Sequence, residues 1–123
     1  MEVKQISAAL GAEITNVDLA QVSDDQVEEI KSLLIEHKVI FFPGQKLSQD
    51  EHVEYGAKFG ELEGHPNLKN KTVTHPKIFE LAASSGGIAD EWHTDITFQD
   101  SPAIMSVLHM VKCPELGGDT MWS

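Results

Sequence analysis

The sequence predicts an α+β fold. Two stretches combine an N-capping serine with apolar residues at helical spacing, and several others are short, apolar and rich in β-branched or aromatic residues. The 123 residues suit about one domain, and 41% hydrophobic with 24% charged residues is ordinary globular usage. A disordered or fibrous chain is therefore excluded.

The first third of the chain predicts two short strands followed by a helix. Residues 1–20 alternate weakly between apolar and polar side chains, which is typical of short strands. Ser23 followed by Gln26 matches a capping box, and apolar residues then recur at helical spacing. An amphipathic helix is therefore expected over residues 24–37.

A buried strand and a second helix are predicted next. Residues 39–42 read Val-Ile-Phe-Phe, a continuous apolar run that predicts a strand buried on both faces and closed by the turn at 43–44. Ser48 with Glu51 forms a second capping box. The helix that follows is expected to stop at Gly60, because glycine commonly ends helices.

The remaining chain predicts a long loop and three further strands. Residues 61–77 contain one glycine and two prolines and indicate a loop, and strands are expected over 78–82, 103–111 and 119–123. Residues 114–118 indicate a turn. The last predicted strand has no evident partner, so we expect this chain to be the N-terminal part of a longer protein.

Charge and composition restrict the partners. Nine basic and twenty acidic residues give a formal net charge of −11, so a phosphate backbone would be repelled and nucleic-acid binding is not expected. No apolar run is long enough to span a membrane, and residues 1–10 lack the basic-then-apolar pattern of a secretion signal, so secretion is not expected. With Cys113 as the single cysteine, a reducing, cytoplasmic location is expected.

The candidate site is the sequence Trp-His-Thr-Asp at 92–95. If this segment is a strand, His93 and Asp95 lie on the same face, two residues apart. An imidazole and a carboxylate are two of the three ligands in a 2-His-1-carboxylate site for non-haem iron(II). A surface pair at a strand edge is the alternative interpretation of so short a pattern.

Four segments together resemble the taurine dioxygenase family (TauD/TfdA-like) of iron(II)/2-oxoglutarate oxygenases. They are the ligand segment 91–98, Gly-Gly-Asp-Thr-Met-Trp at 117–122, Val-Ile-Phe-Phe-Pro-Gly-Gln at 39–45, and Phe-Gly-Glu-Leu followed by His-Pro within 59–66. The resemblance implies the N-terminal portion of a double-stranded β-helix, the cupin-like jelly roll, with flanking helices. Residues 1–123 would form part of a single catalytic domain.

The same resemblance implies the roles of particular residues. His93 and Asp95 would bind Fe(II), Thr120 would contact the carboxylate of the cosubstrate 2-oxoglutarate, and His65 would face the substrate. The implied reaction is hydroxylation by O2 of a small anionic compound such as a sulfonate, a sulfate ester or a carboxylate. Ala89 and Leu68 replace polar residues expected in taurine-using members, so taurine itself is less expected.

Two features expected of the family are absent from the sequence, and they leave alternatives open. A distal histidine as third iron ligand and an arginine for 2-oxoglutarate are both missing, so the chain alone is expected to be inactive. The alternatives are a catalytically silent fragment or interaction module, and another cupin-like metal protein such as a zinc hydrolase. Because several predicted strands lack partners, self-association or a homo-oligomer is also expected.

Overall fold

The computed structural model describes residues 1–64, 75–82 and 89–123. The chain forms two compact units. The first comprises Met1–Gly60 with His109–Ser123, and the second comprises Glu61–Leu108. In the described residues, no helix is long and apolar enough to cross a membrane.

A three-stranded sheet organises the first unit. Its strands are β1 (Glu2–Gln5), β2 (Ala12–Thr15) and β3 (Ile40–Phe41), in the order β1-β2-β3. β1 pairs antiparallel with β2, whereas β3 pairs parallel with it. Ala12 and Ile14 are fully buried, as expected for alternate residues of a strand that share one face. The two predicted N-terminal strands are thereby confirmed.

Helix α1 (Asp24–His37) connects β2 to β3 and has the predicted bounds. Its N-terminus is fixed by a capping box in which the Gln26 N–H donates to the Ser23 hydroxyl at 3.3 Å and the Ser23 N–H donates to the Gln26 side chain at 3.0 Å. Val27 and Ile30 are its buried residues. A parallel strand pair needs such a crossover connection, so α1 is what allows β3 to lie beside β2.

Helix α2 (Gln49–Ala57) begins at the second predicted capping box, formed by Ser48 and Glu51. Its N-terminus matches the prediction, but it ends three residues before Gly60. Tyr55 is buried on this helix, and burial raises the pKa of its hydroxyl to about 12. Its ring lies edge-on to Phe42 at 6.5 Å and to Phe59 at 5.1 Å between centroids. Aromatic contacts thus pack α2 against the chain on either side of it.

Gln45 ties the turn after β3 to the segment that precedes α1. Its side-chain amide donates to the Val17 carbonyl at 2.9 Å and accepts from the Leu19 N–H at 3.1 Å. Leu19 begins a short 3₁₀ helix, Leu19–Gln21, and is itself buried. The Gln45 side chain therefore satisfies two backbone groups that are distant from it in sequence.

The predicted strand at 39–42 is shorter and more exposed than its sequence suggested. Pairing with β2 covers Ile40 and Phe41, and Phe41 remains 41% exposed. The expectation of burial on both faces is therefore wrong for this chain. The chain turns away at Gly44, whose φ is +73°, and within the described residues β3 has a neighbouring strand on one side only.

The strands predicted at 78–82, 103–111 and 119–123 are not formed. Strand identity depends on a hydrogen-bonded neighbour, and the described residues pair no strand with these segments. Residues 104–110 nevertheless keep the alternation of a strand. Met105, Val107 and His109 are half-buried, whereas the residues between them are exposed. The α+β class is confirmed, but the strand count was overestimated.

We predict that Gly11→Ala destabilises the first unit more than Gly44→Ala. Both glycines have a left-handed φ, +100° and +73°, which costs an alanine about 1–3 kcal/mol. At Gly11 the added Cβ would also lie 3.0 Å from Ile6 Cγ1, whereas nothing lies within 4 Å at Gly44. Urea denaturation measures both free energies of unfolding. Equal losses in the two variants would show that the contact with Ile6 carries no cost.

Candidate metal-binding site

His93 and Asp95 lie side by side in the second unit. His93 Nε2 is 3.3 Å from Asp95 Oδ1, and the two side chains are 54% and 73% exposed. An imidazole nitrogen and a carboxylate oxygen are therefore close together and accessible from solvent. The juxtaposition predicted from the sequence is present.

A turn, rather than the predicted strand, brings the two side chains together. Residues 95–98 form this turn, and no strand is assigned across 92–98. Ile96 has a φ of +57°, a left-handed conformation that is a genuine outlier for a β-branched residue. Such strain persists when the surrounding structure fixes it and is concentrated at functional sites. The strained residue here directly follows Asp95.

The backbone carbonyl of Glu91 orients the His93 ring. Nδ1 donates to this carbonyl at 2.8 Å, because a carbonyl oxygen can only accept. This hydrogen bond raises the pKa of His93 above its usual value, and the negative charge and hydrogen bond of Asp95 raise it further. With Nδ1 engaged, the lone pair of the neutral ring lies on Nε2, which is the nitrogen nearer Asp95. A hydrogen-bonded second nitrogen is characteristic of histidines that bind metals.

His93 and Asp95 supply part of the ligand set that a divalent transition metal needs. Histidine nitrogen and a carboxylate supply two positions of a 2-His-1-carboxylate site. Among the described residues, no group of three or more histidine, cysteine, aspartate or glutamate side chains could hold a metal ion. His93 and Asp95 thus provide an incomplete pair that leaves the other coordination positions to further ligands.

Thr120 follows a turn that the sequence predicted. Gly117 and Gly118 have φ angles of +79° and +69°, so consecutive left-handed residues reverse the chain before Thr120. Thr120 is exposed and belongs to the first unit, whereas His93 and Asp95 belong to the second. Its association with the pair stays a prediction. His65, the predicted substrate residue, lies outside the described residues.

Sequence reasoning missed two features around the histidines. The rings of His52 and His109 lie 5.7 Å apart between centroids, and both residues are half-buried. The residues are far apart in sequence, and no local pattern could pair them. The Glu91 carbonyl at His93 was also missed, because a backbone group carries no signal in the sequence.

Nearly the whole chain matches the model of a known protein family. Residues 2–123 match the model of the family described as Taurine catabolism dioxygenase TauD, TfdA family. The chain belongs to this family. The resemblance predicted from the four sequence segments is therefore confirmed.

Relatives of this TauD/TfdA chain are considerably longer. It is 39% identical to an alkylsulfatase of Acinetobacter baylyi and 38% identical to an alpha-ketoglutarate-dependent sulfate ester dioxygenase of Pseudomonas putida. All of this chain aligns in both cases, with 39% and 41% of the relatives' own lengths. A taurine dioxygenase structure from Burkholderia xenovorans matches 61% of this chain and 27% of its own, with a TM-score of 0.55 and 38% identity. This chain thus spans about two fifths of the length of these curated relatives.

We predict that Asp95→Asn lowers the pKa of His93. The variant removes the negative charge that favours the imidazolium but leaves the Glu91 carbonyl in place. The pKa of His93 should therefore fall, although the hydrogen bond to the Glu91 carbonyl still raises it. NMR titration of the His93 ring measures the change, with Asp100→Asn as a matched control elsewhere in the same unit. An unchanged pKa in Asp95→Asn would contradict the contact between the two side chains.

Proposed function

We propose that this TauD/TfdA chain is the N-terminal portion of an iron(II)- and 2-oxoglutarate-dependent dioxygenase domain. The observation that carries this proposal is the His93–Asp95 pair, in which Nε2 and Oδ1 lie 3.3 Å apart within the residues that match the family. Relatives named as alpha-ketoglutarate-dependent dioxygenases support it. Residues 1–123 would contribute the flanking helices and first strands of a cupin-like jelly roll that the rest of the domain completes.

In this proposal, His93 and Asp95 hold the iron. His93 presents Nε2 because the Glu91 carbonyl accepts from Nδ1. Asp95 adds a carboxylate, whose charge partly neutralises a divalent cation, and the turn at Ile96 keeps it beside the imidazole. Iron(II), when bound, supplies the chemistry that activates O2. The two residues also leave coordination positions for a third protein ligand, for the cosubstrate and for O2.

Binding of 2-oxoglutarate requires groups from more than this chain. The Thr120 hydroxyl can donate a hydrogen bond to one carboxylate of 2-oxoglutarate. The sequence contains nine lysines and no arginine, so a bidentate guanidinium clamp for the other carboxylate cannot come from these residues. We therefore assign that clamp and the third iron ligand to the part of the family's length that this chain does not span.

The proposed substrate is a small organic anion with a sulfate ester, sulfonate or carboxylate group. Sulfate ester and sulfonate enzymes are among the relatives, and so is a 2,4-dichlorophenoxyacetate dioxygenase of Cupriavidus pinatubonensis at 34% identity. A net charge of −11 repels anions, so a local donor is needed to receive one. His65 is the residue of this chain that we propose for that role.

A catalytically silent chain is the second candidate. The incomplete donor set among the described residues favours it, because two ligands bind iron more weakly than three. The two candidates differ in what the chain does when the missing part of a family domain is supplied. A dioxygenase portion regains turnover, whereas a silent chain does not.

The deciding experiment joins this chain to the part of the Pseudomonas putida alpha-ketoglutarate-dependent sulfate ester dioxygenase that it does not match. Succinate release would be measured with Fe(II), ascorbate, 2-oxoglutarate and a panel of sulfate esters, sulfonates and phenoxyacetates. We expect substrate-dependent release from the fusion and none from the unfused chain. His93→Ala and Asp95→Ala should each lower release at least 10–100-fold, since even changes beside metal ligands cost that much.

Asp90→Ala is the matched control, because it removes an exposed carboxylate close in sequence to the pair. It should leave succinate release unchanged. Near-normal release from Asp95→Ala would refute the ligand assignment. An inactive but folded fusion would favour the silent chain, and sustained release from the unfused chain would show that residues 1–123 suffice.

A further inference from the structure

Two histidines of the first unit form a pair to which the proposed function assigns no role. The His52 and His109 rings are 5.7 Å apart between centroids, and their planes are inclined at 78°. His52 belongs to α2, whereas His109 begins the segment 109–123 of the same unit. Two imidazoles from segments that are distant in sequence are thus brought into contact by the fold.

Helix α2 holds the His52 ring beside its packed side. His52 precedes Tyr55 by three residues, and residues at this spacing are neighbours on a helix surface. Tyr55 is buried and contacts the rings of Phe42 and Phe59. His52 and His109 are themselves half-buried. The pair therefore joins a well-packed helix to the segment that begins at His109.

The separation of the two rings suits a shared metal ion. Histidine is the commonest metal ligand in proteins, and each neutral ring offers one nitrogen lone pair. With zinc–nitrogen bonds of about 2.0–2.1 Å and tetrahedral angles, two rings on one ion have centroids about 5 Å apart. The observed 5.7 Å is close to this value. Because χ2 of histidine is a broad torsion, each ring can turn a nitrogen toward one ion without movement of the backbone.

The charge around the pair favours a cation. The sequence has a net charge of −11, and α2 itself carries Asp50, Glu51 and Glu54. Such a field raises the local concentration of divalent cations. No group of three or more histidine, cysteine, aspartate or glutamate side chains suited to a metal occurs in the described residues, so water would complete the coordination of an ion held by two imidazoles.

We propose that His52 and His109 form a second metal site, for a divalent ion that prefers imidazole, such as zinc, and that this ion fastens segment 109–123 to α2. Imidazole suits zinc, copper and nickel, whereas magnesium and calcium prefer oxygen ligands. The role is structural, since an ion that binds the folded chain and not the unfolded chain stabilises the fold. This site does not depend on the proposed function, because its ligands differ from His93 and Asp95.

The test uses this chain with His93→Ala and Asp95→Ala, freed of metal and titrated with zinc sulfate. NMR follows the histidine rings, and a competing chelator dye gives the affinity. We expect the His52 and His109 resonances to shift together along one saturation curve, and magnesium chloride to leave both unchanged. His52→Gln and His109→Gln should each weaken zinc binding at least tenfold. His37→Gln is the matched control, because His37 is another half-buried histidine of the same unit.

Urea denaturation with and without zinc gives the second readout. Zinc should raise the midpoint for the background chain and for His37→Gln, but not for His52→Gln or His109→Gln. If a glutamine variant does not fold, His109→Cys replaces it, since a thiolate also binds zinc and should retain the effect. Equal zinc affinity in all the variants overturns the proposal. A shift of one ring alone, or no change in the midpoint, would show that the two rings only pack together.

Discussion

The burial of strand β2 is the constraint on which the first unit depends. β2 is hydrogen-bonded to β1 on one side and to β3 on the other, and its Ala12 and Ile14 are fully buried. The Gly11 N–H donates to the His37 carbonyl at 2.8 Å, which links the start of β2 to the end of α1. Because β3 follows immediately, the length of α1 and the position of β2 together determine where the apolar run 39–42 lies. The open edge of β3 is a consequence of that placement.

The buried core of this unit is small for the amount of apolar sequence. Seven hydrophobic residues among those described are buried: Ala12, Ile14, Leu19, Val22, Val27, Ile30 and Tyr55. Large side chains of the same unit such as Val111 and Leu116 are 87% and 89% exposed. Burying one such side chain contributes about 1.5–3 kcal/mol, against a net stability of about 5–15 kcal/mol for a whole domain. In a longer member of the family, we expect the additional residues to cover these exposed apolar side chains.

Local sequence signals predicted the helices well and the strands unevenly. Capping boxes at Ser23 and Ser48 fix helix N-termini through residues three apart, so a short window contains all the information. A strand needs a neighbouring strand that is distant in sequence, and in the described structure residues 103–111 have the apolar alternation but are not assigned to a sheet. Propensity alone therefore overestimated the sheet.

The candidate site, too, could be predicted only in part from the sequence. His93 and Asp95 are two residues apart, so a short motif was enough to predict their proximity, although a turn at Ile96 achieves it instead of a strand. The Glu91 carbonyl and the pairing of His52 with His109 depend on backbone conformation and tertiary packing. The motif thus predicted the donor atoms, while the groups that orient or surround them required the structure.

The central claim is that His93 and Asp95 bind iron(II). Anomalous X-ray scattering at the iron edge tests it most directly, on crystals grown without oxygen from this chain joined to the unmatched part of the Pseudomonas putida sulfate ester dioxygenase. We predict an anomalous peak within coordination distance of both His93 Nε2 and an Asp95 carboxylate oxygen. A peak at the His52–His109 pair instead, or no peak from a folded protein, would contradict it.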